Sequence, residues 1–328
     1  MIYTIVGGRS VGKYKEVICC MKKLMYMFET LAVLNPSALD EKELKDKKYH
    51  YYFIVSSPAK YVDDVYAKND ELAFLLNDGK GQFEVLMSHP DRDYRIENVT
   101  FRYKTPNDKR VALLSYDIKF NDGRTKSIID GDFPAFGIYS LYEKKQRYKI
   151  EYIGQSYAND GHRTAQDRLS SHSTLTKILS DALNEGNKDI GLCLLGADIS
   201  CIDNTCFLGK ESPVISIGDV SSDITAHHVN LLEAYLINTF KPKYNKTYKA
   251  GNVPSQSHQA YKKVTNEDYD DISVRFGIRG CKHDYEFYTE QESIRIENGV
   301  LSNGSMKVFF KEANRVDDNN FMYSFMDI

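Results

Sequence analysis

Two short aromatic runs on either side of a charged turn constrain this chain of 328 residues more than any other stretch. Residues 136–142 are apolar and aromatic around Gly137, Ile138 and Tyr139, and the run from Tyr148 alternates up to Tyr152, Ile153 and Gly154. Between them Glu143, Lys144, Lys145, Gln146 and Arg147 form a polar run suited to a hairpin turn, so each flank predicts a strand. Gly137 and Gly154 flank the tyrosines, as expected where backbone must approach another backbone or a phosphate.

The length predicts one large domain or two to three small ones. A hydrophobic fraction of 42% and a charged fraction of 27% are those of a soluble globular chain with a real core. No apolar run is long enough to cross a bilayer, so no membrane partner is expected. The start of the chain lacks a basic segment, a long apolar stretch and a cleavage site, which predicts a cytoplasmic protein. Six cysteines without a CxxC pair fit a reducing compartment. Cys193, Cys201 and Cys206 lack a fourth ligand and a ligand-pair spacing, so they read as ordinary thiols rather than a zinc site. The net charge of -3 excludes a broad basic surface but leaves room for a local basic patch.

Residues 1–133 predict an α/β N-terminal domain. Residues 2–6 read as a strand. Val17, Met21, Leu24, Phe28 and Leu31 then fall at helical spacing opposite Lys15, Glu16, Lys22 and Lys23. Ser37 with Asp40 predicts a short capped helix, residues 50–55 a strand, and Ser57 with Pro58 the opening of another helix. Residues 82–87 read as a strand. Residues 99–104, 111–120 and 125–129 form a meander with turns at Pro106 and at Asn121-Asp122-Gly123. Boundaries are expected near residues 130–134 and 250–257, the latter rich in Gly, Pro and Ser. Residues 251–328 follow as a linker and a small β-rich module, with strand-like runs at 272–278 and 306–310.

Gly7 to Lys13 follows a predicted strand and precedes a predicted helix, the context of a phosphate-binding loop. Tyr14 stands where such a loop needs Ser or Thr for magnesium, and no strand ending in an aspartate completes the metal shell. The stretch reads as an ordinary glycine turn.

Beyond Gly154 a polar loop leads to Arg168 and His172, four residues apart and therefore on one side of a predicted helix, with Ala165 and Leu169 as its buried face. A second helix is expected from Ser173 to a stop near Gly186, a strand over 189–195, and a third helix from a cap at Ser222-Asp223 to Phe240, before Pro242. That last helix carries Ile224, Leu231, Leu232, Leu236 and Phe240 as packing residues and one carboxylate, Glu233. His227 and His228 lie off the face of Glu233 and read as structural. The tail after Pro242 interleaves Lys241, Lys243, Lys246 and Lys249 with Tyr244 and Tyr248. It suits a nucleic-acid backbone contact or, equally, a solvated helix end favoured by the helix dipole.

Gly137-Ile138-Tyr139, Tyr152-Ile153-Gly154, Arg168 with His172, Glu233, and Asn245 after Pro242 occur in an order that closely resembles the GIY-YIG endonuclease superfamily. The resemblance covers residues 134–250, about a third of the chain, and the excess near 197–221 reads as a surface insertion. It implies an α+β fold: a GIY-YIG nuclease domain, a small antiparallel sheet flanked by helices, set between the α/β N-terminal domain and the β-rich C-terminal module. It implies a metal-dependent phosphodiester hydrolase in which Glu233 holds a single Mg2+ or Mn2+ mostly ligated by water. Arg168 then clamps the scissile phosphate, where a planar fork outperforms a lysine. Tyr152 serves as base and Tyr139 as orienter, with His172 as an alternative proton acceptor or phosphate contact. Asn245 orders the metal-bearing helix and nearby backbone.

The expected partner is DNA, with RNA as an open alternative, and the N-terminal domain would engage the target, a partner protein or a second copy. A restriction or phage-defence nuclease is the first expectation, a mobile-element or repair nuclease the second. A non-catalytic binding module retaining the fold is the competing class.

Overall fold

A computed structural model describes residues 17–36, 49–87, 94–156, 169, 173–208, 213–221, 226–249, 271–275, 283–296 and 305–309, with backbone alone along 17–32, 198–208, 213–221, 271–275 and 305–309. In chain order the strands are β1 (Val17–Leu34), β2 (Tyr51–Pro58), β3 (Tyr61–Lys68), β4 (Glu71–Asn77), β5 (Gln82–Met87), β6 (Tyr94–Thr105), β7 (Asp108–Phe120) and β8 (Thr125–Pro134). Then come α1 (Ala135–Tyr142), β9 (Lys145–Gln155), α2 (Ser173–Glu185), β10 (Lys188–Leu208), β11 (Pro213–Ser221) and α3 (Ala226–Phe240). The chain continues through β12 (Asp271–Arg275), β13 (Asp284–Tyr288), β14 (Ser293–Ile296) and β15 (Ser305–Phe309). The fold is α+β, dominated by strands.

A nine-stranded sheet runs β14-β13-β9-β2-β10-β1-β12-β15, with β11 paired to β10. Its middle strand, β2, is Tyr51-Tyr52-Phe53-Ile54-Val55, buried on both faces as its unbroken apolar run requires. Tyr51, Phe53 and Val55 enter one core cluster, and Tyr52 and Ile54 enter another on the opposite face. On the first face lie α1, through Phe136, Ile138 and Tyr139, and α3, through Val229, Leu232, Leu236 and Phe240. On the second face lie Leu169 and α2, through Leu175 and Ile178.

Strand β9 antiparallel to β2 carries a register shift. Ile150 pairs with Val55 and Tyr152 with Ile54, so Glu151 is the extra residue of a bulge. Along an unbroken strand Tyr152 would share the face of Tyr148 and Ile150. The bulge turns it over, and Tyr152 packs with Tyr52 and Ile54 while Ile153 returns to the first face. The Glu151 side chain is buried by the bulge, and its Oε1 accepts a 2.7 Å hydrogen bond from Ser56 Oγ.

Two three-stranded sheets, β3-β4-β5 and β6-β7-β8, lie between β2 and β9 in the chain. The second is the expected meander, turned at Asn107 and Gly123 with φ of 67° and 87°. Helix α2 ends at Gly186, whose φ of 69° and N–H to the carbonyl of Ala182 make a left-handed C-terminal cap.

Several expectations need correction. The run 17–31 is strand β1 along β10, not a helix. Its apolar residues fill both parities as well as the helical stripe, and Val, Ile, Cys, Tyr and Phe favour a sheet place when a partner strand is present. Residues 136–142 are helix α1, not a strand: Pro134 sets the N-cap at φ -66°, and Ala135, Ile138, Tyr139 and Tyr142 then fall on one helical face. Ser57-Pro58 ends β2 and leads into β3 rather than opening a helix. Within the stretch 197–221, expected as a surface insertion, β10 and β11 pair antiparallel and continue the sheet. Among its described residues, 1–133 contains strands and no α-helix. The strand over 2–6, the glycine turn 7–13, the short helix after Ser37 and the helix carrying Arg168 and His172 lie outside the described residues.

Hydrogen bonding crosses both expected boundaries. From the first segment β2 pairs β9 and β10, and from the last segment β13 pairs β9 in parallel while β12 pairs β1.

Candidate functional site

Tyr152, Gly154 and Tyr52 form the most tightly specified part of the site. Tyr52 lies opposite Gly154 in the β2–β9 register, and Ile54 opposite Tyr152. The rings of Tyr52 and Tyr152 stack with centroids 6.2 Å apart and planes inclined by 27°. A methyl group on Gly154 would sit 2.4 Å from Cζ and Oη of Tyr52 and 2.9 Å from Cε1 of Tyr152, so the stacked pair exists because residue 154 has no side chain. Tyr52 is 0% exposed and Tyr152 half-buried. Leu169, the residue after Arg168, is buried in the same cluster. Arg168 and His172 themselves lie outside the described residues.

The segment after α3 is fastened along the edge of β9. Asn245 Oδ1 accepts from the Ile153 N–H at 2.9 Å, and its Nδ2 donates to the Ile153 carbonyl at 2.8 Å. One residue earlier, the Tyr244 N–H donates to the Glu151 carbonyl at 3.0 Å. Asn245 therefore satisfies a stretch of strand that the bulge and the end of β13 leave without a neighbouring strand.

Glu233 is half-buried on α3. One turn before it Asn230 Oδ1 accepts from Gln155 Nε2 at 3.1 Å, tying α3 to the end of β9 just past Gly154. Beyond it, Asn238 Nδ2 donates to the Tyr248 carbonyl at 3.0 Å, and Tyr248 is held at a left-handed φ of 62°. Burial, then the nearby Glu233 charge, raises the Tyr248 phenol above its ordinary value. Since α3 packs on the first face and Tyr152 on the second, the helix that carries Glu233 and the ring of Tyr152 lie on opposite sides of the sheet. Gln155–Asn230 ties α3 to β9, and Tyr244 and Asn245 tie the segment after it to the same strand. Among the described residues no three His, Cys, Asp or Glu side chains gather into a metal cluster. Glu233 is a single half-buried carboxylate, a hard-oxygen donor of the kind taken by a cation that keeps most of its water.

Tyr139 is placed elsewhere. It sits on α1, 6% exposed, on the face opposite Tyr152, and its ring meets Tyr148 edge to face at 6.0 Å and Phe83 at 6.2 Å. Its Oη accepts from the Arg147 N–H at 3.1 Å, and Lys60 Nζ lies 4.5 Å from its ring centre. Burial pushes its phenol up to about 12. Its burial disfavours the phenolate and packs the ring into the core. Gly137 is equally unremarkable: the nearest atom to an added methyl is Pro134 Cβ at 3.8 Å.

The lysine-rich tail joins the Tyr152 face. Tyr244 packs against the cluster of Tyr52 and Ile54, and its Oη donates to Asp181 Oδ2 on α2 at 2.7 Å. Lys243 Nζ and Lys177 Nζ lie 5.0 Å and 6.0 Å from its ring centre. Lys241, Lys243 and Lys246 are exposed. Lys249 donates to the Lys243 carbonyl at 3.0 Å, and burial lowers its pKa. His228 is buried in α3, in keeping with a structural role.

Sequence reasoning missed Tyr52 and Lys177. Lys177 carried no signal beyond its place on an amphipathic helix. For Tyr52 the only cue was an unbroken aromatic strand, Tyr51 to Val55, suited to a sheet interior. No helix among the described residues is long and apolar enough to cross a membrane. No family model, curated protein or solved structure matches the chain.

Proposed function

We propose that the protein is a divalent-metal-dependent endonuclease that hydrolyses DNA phosphodiester bonds, with restriction or phage defence as its setting. The observation that carries this reading is the double hydrogen bond of Asn245 to Ile153, with Gln155–Asn230 beside it. These bonds tie three pieces far apart in sequence to one another (the strand of Tyr152 to Gly154, the helix of Glu233, and Asn245), which supports the reading.

In this reading Glu233 holds the cation, with Mg2+ or Mn2+ as the fitting ions. When bound, such an ion supplies charge relief on the phosphate and lowers the pKa of nearby water. Tyr152, as phenolate, takes a proton from a water whose oxygen bonds to phosphorus, with His172 as the alternative acceptor. The P–O3′ bond breaks and the leaving oxygen takes a proton from solvent water, giving 5′-phosphate and 3′-hydroxyl ends. Arg168 clamps the non-bridging oxygens in a bidentate fork. Lys243 and Lys246, with Lys177 from α2, line the backbone of the nucleic acid. Tyr139 is assigned to the core.

Two observations favour the competing reading of a non-catalytic binding module: the two tyrosines of the paired motifs lie on opposite faces of the sheet, and the helix of Glu233 packs on the face opposite Tyr152. Incubating supercoiled plasmid, phage DNA and RNA with the purified chain and Mg2+ or Mn2+, with the ends mapped, separates the two. Nicking with 5′-phosphate ends supports the nuclease, and binding without cleavage on every substrate supports the module.

A further inference from the structure

The geometry points to Tyr52 as the positioning residue for Tyr152, stacked ring against ring across β2 and β9, in the role that the motif order assigns to Tyr139. The inference rests on the nuclease reading and names a residue outside the segment on which that reading was built.

Four observations converge on it. The β2–β9 register sets Tyr52 opposite Gly154, next to the strand position of Tyr152. The ring stack fixes the plane of the Tyr152 ring. Gly154 lets the hydroxyl end of Tyr52 lie directly over the backbone, at a separation that any side chain at residue 154 would close. The bulge at Glu151 turns Tyr152 toward Tyr52 and away from the face of Tyr139. Burial completes the asymmetry. Tyr52 is enclosed among Ile54, Leu169, Leu192 and Leu194, a rigid backing, while Tyr152 is half-buried and reaches the surface. A phenol that must meet a water and a phosphate at one angle gains from a neighbour that removes its ring freedom before substrate arrives.

The ring rather than the hydroxyl does this work, which gives the test its form. Initial rates of plasmid nicking would be measured against pH and substrate concentration for wild type, Tyr52→Phe, Tyr52→Leu and Tyr139→Leu. Tyr52→Met, whose flexible chain fills similar space, replaces the leucine variant if that one does not fold. The expected result is that Tyr52→Phe retains activity within about threefold, while Tyr52→Leu or Tyr52→Met loses about 10- to 100-fold in kcat with KM little changed. In the latter pair the basic limb of the pH–rate profile also moves. Tyr139→Leu is expected to lower Tm without moving that limb.

A Tyr52→Leu or Tyr52→Met enzyme with the wild-type pH profile and kcat, whatever its Tm, overturns the inference and leaves the nuclease reading standing. A pH limb that moves in Tyr139→Leu but in neither Tyr52 variant does the same. Wild-type protein inert on every substrate overturns the nuclease reading, and this inference with it.

Discussion

The Asn245 side chain stands in for a missing strand beside Ile153, accepting from its N–H at 2.9 Å and donating to its carbonyl at 2.8 Å. Asn245 is itself buried, so water does not replace either bond when it is removed. Asn245→Ala is therefore expected to cost about 2–4 kcal/mol, the penalty of leaving a buried donor and acceptor without partners. Urea denaturation reads it as a lower midpoint with an unchanged slope. Asn245→Asp keeps the acceptor but sets a carboxylate oxygen against the Ile153 carbonyl, and should be no less destabilising. A loss below about 0.5 kcal/mol in both variants would show that the clamp carries little.

The two motif glycines should respond in opposite directions. Gly154→Ala drives a methyl into the Tyr52 ring at 2.4 Å and is expected to destabilise by about 2–4 kcal/mol, because the rigid ring has buried neighbours behind it. Gly137→Ala meets nothing closer than 3.8 Å and replaces a helical glycine by the best helix former. It should be neutral or stabilising by up to about 1 kcal/mol. Thermal unfolding of the two variants side by side distinguishes helix α1 from the strand that the sequence suggested.

Burial raises the Tyr139 phenol to about 12 in the folded state, above the ordinary tyrosine value of about 10. The fold therefore holds that proton more tightly than the unfolded chain does, so the associated stability is fully present below about pH 10 and is lost as pH rises from 10 toward 12. Urea midpoints between pH 9 and 11.5 should fall more steeply for wild type than for Tyr139→Phe. The difference should approach about 2 kcal/mol at the alkaline end. Equal slopes would place Tyr139 in a more exposed setting than α1 gives it.

Nucleic-acid affinity should depend on salt through the exposed lysines of the tail. Lys243→Ala with Lys246→Ala is expected to reduce the slope of log K against log salt by about 1–2. Lys249→Ala should reduce it less, because Lys249 is held against the Lys243 carbonyl and burial lowers its pKa. Fluorescence anisotropy with a short labelled duplex measures both.

Much of the fold was legible where local signals decide it. The meander over 99–129 follows from alternating residues and the Asn121-Asp122-Gly123 turn, and α2 and α3 stop where Gly186 and Pro242 require. Legibility ended where pairing is non-local. Whether Val17 to Leu34 is helix or strand turns on β10 lying beside it, since its apolar residues satisfy both periods. Residues 136–142 looked like the partner of the Tyr152 strand because they are adjacent in sequence, but Tyr51 to Val55 fills that place and leaves them to fold behind Pro134. The bulge at Glu151 has no sequence mark of its own, yet it decides which face Tyr152 serves. At the site, Asn245 bonds to Ile153 on β9, while the helix of Glu233 and the ring of Tyr139 share the face opposite Tyr152, a division that the order of the residues in the chain does not reveal.

The most direct test of the central claim is metal-dependent nicking of supercoiled plasmid by wild type and Glu233→Gln, a change that keeps the shape of the side chain and removes its charge. The account predicts nicking by wild type with Mg2+ or Mn2+, none with EDTA, and a loss of at least about 100-fold in Glu233→Gln with an unchanged Tm. Equal cleavage by both proteins, or cleavage that persists in EDTA, would contradict it.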